Sequence, residues 1–217
     1  MQIRAEYHLR AVVRPGDEPF VASPLPGVTR LMLDREGGEV ARATTIVRYA
    51  RGSQFSSHDH AMGEEFLVLD GVFCDEHGAY PAGTYVRNPP GSHHAPFSPE
   101  GCTIFVKLRQ FAPDDRKQLV VDTTTAVWQN GSKEGDHMLP LHHHDDERVA
   151  MIRLGAGSRY EPAKDQGGTE ILIIEGILYD GASAYPGRSW LRLPAGDCTS
   201  LSTRDGCTFY IKSGHLG

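Results

Sequence analysis

Apolar residues in this chain come in short runs. Segments such as 44-TTIVRYA-50, 65-EFLVLDG-71, 84-TYVRNP-89 and 103-TIFVKL-108 are rich in β-branched and aromatic residues, and Gly, Pro and Asp punctuate them. The same pattern returns in 149-VAMIRL-154, 170-EILIIEG-176, 189-SWLRLPAG-196 and 207-CTFYIK-212. Long stretches with a helical period are absent, so a parallel sheet layered with crossover helices is not expected. The pattern predicts an all-β chain built as an antiparallel sandwich or barrel.

The two sets of strands are copies of one unit. A constant shift of 105 residues brings Gly52, Gly63, Gly71 and Gly91 onto Gly157, Gly168, Gly176 and Gly196 without a gap. It also carries 79-AYP-81 onto 184-AYP-186 and 101-GCT-103 onto 206-GCT-208. About 18 of roughly 61 positions are identical, and so long an ungapped register signals duplication. Ala112-Pro113-Asp114-Asp115 marks the boundary, giving one expected domain over 1–114 and its copy over 115–217.

Composition narrows the function classes. Of the 217 residues, 39% are hydrophobic and 23% charged, as in an ordinary globular protein. No apolar run approaches the length of a bilayer span, and MQIRAEYHLR lacks the apolar core of a signal peptide, so the expected location is the cytoplasm, with no membrane partner. A net charge of -6 without a dense Lys/Arg patch argues against direct nucleic-acid binding. Cys74, Cys102, Cys198 and Cys207 form no CxxC pair and read as reduced thiols.

The candidate chemistry lies among the eleven histidines, most of which cluster at 58–60, 93–94 and 137–144. His58 and His60 fall on one face of a strand because side chains alternate with period two. A carboxylate from Glu64 or Glu65 and a further histidine from 89-PPGSHHAP-96 would complete a three-nitrogen, one-oxygen set that suits Zn, Fe, Mn, Ni or Cu.

These residues resemble the cupin double motif, G-x5-H-x-H-x3,4-E-x6-G followed by G-x5-P-x-G-x2-H. Gly52, His58, His60, Glu64 and Gly71 match the first half; Gly83, Pro89, Gly91 and His94 match the second. Ser98 stands where an Asn often trails the motif. The run 64-EEFLVLDGVFCDEHGAYPAGTYVRNPPGSHHAP-96 is most similar to the ChrR-type cupin, the sensory C-terminal domain of certain anti-sigma factors. The resemblance spans nearly the whole chain. It implies two tandem cupin (double-stranded β-helix, or jelly-roll) barrels, with one divalent metal ion, typically zinc, on His58, His60, Glu64 and His94 of the first; Fe, Mn or Ni would suit the same donors. Cupins are often dimers, which makes a homodimer the family expectation. The first twenty residues carry no cysteine and only His8, so the zinc-containing sigma-binding domain of the anti-sigma factors is expected to be absent.

The second copy discriminates between the two glutamates. Glu65 survives as Glu170, whereas His58, His60, Glu64 and His94 become Ala163, Asp165, Thr169 and Thr199. A residue retained where every histidine is lost reads as structural, and Glu64 reads as the ligand. The second barrel is expected to be metal-free. His142, His143 and His144 read as a solvated linker, His77 and His93 as rim or surface residues, and Cys102 and Cys207 as core. Two functions follow from the resemblance. One is a regulatory or stress-sensing bicupin acting through a protein partner. The other is a non-haem Fe(II) dioxygenase for a small aromatic or keto ligand in the cupin cavity, with Phe66, Phe73, Tyr85 and Phe97 as candidate lining.

Overall fold

A computed structural model of the chain describes residues 1–38, 40–162 and 167–216. Among these residues no helix forms, and every strand pairing is antiparallel. The residues gather into two compact units, one of Met1–Ala5 with Pro19–Thr125 and one of Glu6–Glu18 with Ala126–Gly217.

In the first unit the main sheet runs Val28–Gly37, Ala41–Tyr49, Cys102–Leu108, Glu64–Asp75, Thr84–Asn88, Leu119–Asp122. Alternation divides each strand between two faces. Phe66 and Val68 share a face and join Val28, Val47, Ile104 and Val106 in a buried apolar core. The neighbouring positions point the other way and are buried as well. Glu65 lies opposite both Arg87 and Lys107, accepts a hydrogen bond from the Tyr85 hydroxyl at 2.5 Å and pairs with Arg87 at 2.8 Å. Arg87 reaches Asp115 at 2.5 Å and stacks over Phe111. A charge is tolerated at such depth only when it is paired.

The second unit repeats this order as His137–His144, Glu147–Leu154, Cys207–Ser213, Thr169–Tyr179, Trp190–Leu193, Ala11–Val13. Glu170 sits opposite Arg192 and Lys212, the register positions of Glu65, Arg87 and Lys107 shifted by the repeat. Gly71 and Gly176 occupy the left-handed region at φ +71° and +82°, and a Cβ on either would collide with the carbonyl oxygen of Gly101 or Gly206. The duplicated glycines are therefore a backbone requirement.

Two segments depart from expectation. The histidine-rich stretch expected as a linker is a strand, His137–His144, paired with Glu147–Leu154. Leu139 and Leu141 are buried between exposed Met138 and Pro140, which is strand alternation that the run of histidines conceals. The strand Val28–Gly37, sequence VTRLMLDREG, is not among the segments that composition points to, because charged residues interrupt it.

Candidate metal centre

The sites of the first motif converge through a short two-stranded pairing. His58–Asp59 pairs with His93–His94, which sets His94 directly opposite His58. The His60 backbone is pinned to the same turn, its N–H donating to Ser92 O at 2.9 Å and its carbonyl accepting from Gly91 N–H at 3.0 Å. Glu64 opens the strand Glu64–Asp75 on the face that carries Phe66 into the core. One donor atom from each of His58, His60, Glu64 and His94 lies within 4.8 Å of the others. His60 Nε2 and His94 Nε2 are each 3.6 Å from Glu64 Oε1.

Each imidazole is oriented through its other nitrogen. His94 Nδ1 is 3.1 Å from Asp75 Oδ2, His60 Nδ1 is 3.0 Å from Ser92 Oγ, and His58 Nδ1 is 3.3 Å from the Ser56 carbonyl. The Ser92 hydroxyl donates to Pro89 O at 2.7 Å, so its oxygen is left to accept from His60. A carboxylate, a hydroxyl committed as a donor and a carbonyl all place the proton on Nδ1. The Nε2 lone pairs remain for a metal. His60 Nε2 is buried and makes no hydrogen bond, an orphan that a bound cation would satisfy. The donor set thus fits a divalent ion of the Zn, Fe or Ni type.

Electrostatics separate the two buried histidines. Desolvation holds His60 below its ordinary pKa, against the pull of Glu64. Burial also pulls His94 down, but the hydrogen bond it donates to Asp75 and the charges of Glu64 and Asp75 outweigh it, so His94 sits above its ordinary value. Burial raises Asp75 too, yet hydrogen bonds from His94, the His77 backbone N–H and the Tyr80 hydroxyl hold its carboxyl below the usual range. Asp75 and Ser92 went unmarked in the sequence because neither belongs to the motif. The signal available for Asp75 was its survival, with Tyr80, in the second copy as Asp180 and Tyr185.

The structure sends the adjacent glutamates to opposite sides, Glu64 to the histidines and Glu65 to Tyr85 and Arg87. His93 is exposed and lies opposite Asp59. Of the counterpart positions in the second copy, Ala163 and Asp165 lie outside the described residues, and Thr169 begins a strand. Around Asp180 a guanidinium takes the imidazole's role. Arg10 donates to Asp180 Oδ2 at 2.6 Å and to Thr199 Oγ1 at 3.1 Å, where Thr199 is the counterpart of His94.

A cavity of about 480 Å³ opens beside the cluster in the first unit, with His58, His60 and Glu64 in its wall. Val28, Val47, Tyr49, Phe55, Val106 and Leu108 supply apolar lining, and Arg30 and Arg109 supply charge. The expected aromatic lining lies elsewhere. Phe66 and Phe73 are core, Tyr85 faces Glu65, and Phe97 pairs with Gln54 and Cys74 at the edge of the unit.

No curated protein matches the sequence significantly. Solved structures share the fold at low identity. A protein of Nostoc punctiforme assigned provisionally as a dioxygenase superposes with a TM-score of 0.77 at 14% identity, covering 96% of this chain and 84% of that one. The bacterial pirin of Escherichia coli in complex with nickel(II) gives 0.70 at 12%, covering 94% and 98%. Salicylate 1,2-dioxygenase of Pseudoaminobacter salicylatoxidans, solved with gentisate adducts, gives 0.65 at 12%, covering 96% and 81%. The ChrR Cupin-like domain family matches twice, over residues 8–112 and 116–217. With both segments matched and both units folded as antiparallel β-structures of one design, this chain belongs to the ChrR Cupin-like family as a tandem cupin.

Proposed function

We propose that the first unit holds one divalent metal ion on His58, His60, Glu64 and His94 and acts, with iron(II), as a dioxygenase on a small aromatic or keto compound. The observation that carries this reading is the cavity. A space of about 480 Å³ against the donor cluster falls within the range of small-molecule sites, whereas a closed structural metal site needs none. Iron(II) on such donors would supply the one-electron chemistry that protein side chains lack. The chain's residues do the rest. Asp75 and Ser92 hold two imidazoles in one tautomer, and Val47, Val106 and Leu108 exclude water from the reacting face. Burial above all, then the Glu64 carboxylate, push the Tyr49 phenol well above its usual pKa, so this hydroxyl stays protonated and can donate a hydrogen bond.

Family membership favours a second reading, a regulatory or stress-sensing protein in which zinc occupies the same donors and a separate protein receives the signal. Metal analysis of protein purified without added metal, combined with oxygen uptake after iron(II) loading in the presence of aromatic and keto compounds, separates the two. Iron-dependent oxygen consumption with any of these compounds supports the enzyme. One zinc per chain and no uptake after iron exchange would sink it.

A further inference from the structure

The cavity contains two cations that the metal site does not use. Arg30 lies on the strand Val28–Gly37, opposite Val47, and shares the cavity face with Val28. Its Nε is buried and makes no hydrogen bond, and Arg30 has no ion-pair partner among the described residues. Arg109 directly follows the strand Cys102–Leu108, and its backbone N–H donates to the Gly63 carbonyl at 2.9 Å. It adopts φ +60°, in the left-handed region that an arginine occupies only when its surroundings hold it there. The two arginines that are fully buried among the described residues, by contrast, have their charge met: Arg87 pairs with Glu65 and Asp115 although its Nε makes no hydrogen bond, and Arg192 donates to backbone carbonyls. A partly buried guanidinium with an idle donor costs free energy unless something anionic enters beside it.

The second copy again separates framework from function. Val47 corresponds to Ile152 by the repeat, and the residue opposite Ile152 is Met138, so the position of Arg30 has become methionine. Arg109 becomes Gly214. Both arginines are lost together with His58, His60, Glu64 and His94, while Glu65, Arg87 and Lys107, which hold the sheets together, persist as Glu170, Arg192 and Lys212. Residues that vanish with the ligand set belong to the ligand chemistry.

We infer that the compound taken by this cavity is a small organic acid, whose carboxylate is held by Arg30 and Arg109 while its apolar body lies along Val28, Val47, Tyr49 and Phe55. The planar fork of a guanidinium matches a carboxylate with two parallel hydrogen bonds, which gives orientation as well as attraction. Asp59 and Glu64 also line the space. Asp59 is exposed, and Glu64 is committed to the histidines, so neither neutralises the arginines. The inference rests on reading the site as a small-molecule centre and names the class of molecule.

Calorimetric titration of the metal-loaded full chain with matched pairs of acid and neutral amide, benzoate against benzamide and pyruvate against pyruvamide, tests it. The acid of at least one pair is expected to bind tenfold or more tightly than its amide. Arg30→Met should cost that acid tenfold or more while leaving amide binding and metal content unchanged, and Arg30→Lys should restore part of the loss. Met138 in the second copy shows that a methionine suits this strand position, and Arg109→Gly removes the second charge while relieving its backbone. Equal binding of acid and amide, acid affinity unaffected by Arg30→Met at matched metal content, or no binding by either acid would each overturn the inference. Oxygen uptake reports separately on the enzyme: turnover of neutral ketones without acid preference sinks only the organic-acid inference, and acid-selective binding without uptake sinks only the dioxygenase.

Discussion

Two adjacent glutamates in this chain do unrelated work, and one pair of variants should expose it. Glu64→Gln removes the one carboxylate that lies 3.6 Å from two imidazole nitrogens, so metal content after dialysis should fall at least tenfold with little change in the stability of the metal-free protein. Glu65→Gln should do the reverse. It removes one of the carboxylates that neutralise the buried Arg87 guanidinium and should cost about 3 kcal/mol in denaturant unfolding, with metal retained at the wild-type level. Equal metal loss in the two variants would show the division to be wrong. The distinction follows from strand parity, since consecutive residues on a strand face opposite sides of the sheet.

At the scale of an element, the turn and hairpin around Asp75 and its repeat around Asp180 show how one construction receives two different nitrogen donors. Asp75 accepts from Tyr80 and His94; Asp180 accepts from Tyr185 and Arg10. Burial opposes ionisation of Asp180, but the hydrogen bonds of Tyr185, Ser183 and Ala182, together with Arg10, lower its pKa to about 2. A carboxylate with a folded pKa below its unfolded value of about 3.9 stabilises the protein above that value and ceases to do so as the pH falls through the folded pKa. Asp180→Asn should therefore destabilise the protein at pH 6 by about 1–2 kcal/mol, the order of hydrogen bonds to a charged group. The gap between variant and wild type should narrow below about pH 4 and close near pH 2. A gap that stays constant over that range would mean that the charge of Asp180 contributes nothing.

For the whole molecule, neither unit is one stretch of chain. The edge of the first sheet is completed by Leu119–Asp122, and Asp115 pairs with Arg87 at the same side. A fragment ending at residue 114 would therefore leave the Thr84–Asn88 strand with an open edge and Arg87 short of a carboxylate, and it should aggregate on expression. A fragment of residues 19–125 keeps both contacts and should remain dispersed and retain metal. Size-exclusion chromatography with metal analysis of the two fragments checks this, and equal behaviour would count against the completed edge as the deciding feature.

The sequence by itself determined the all-β class, the duplication and the motif positions that converge on the cluster, because alternation, turn glycines and ligand spacing are local properties. It also separated Glu64 from Glu65, since a degenerate copy inside the chain keeps what the sheet needs and discards the rest. Only the tertiary structure decided the remainder. Asp75 and Ser92 act on histidines 19 and 32 residues away in the chain, and Arg30 meets the cavity through a strand whose charges hide its alternation. The strand nature of His137–His144 was likewise masked by residues that are usually solvated. Orientation of a ligand and the lining of a cavity depend on contacts between strands distant in sequence, and no pattern within one strand records which partner it will face.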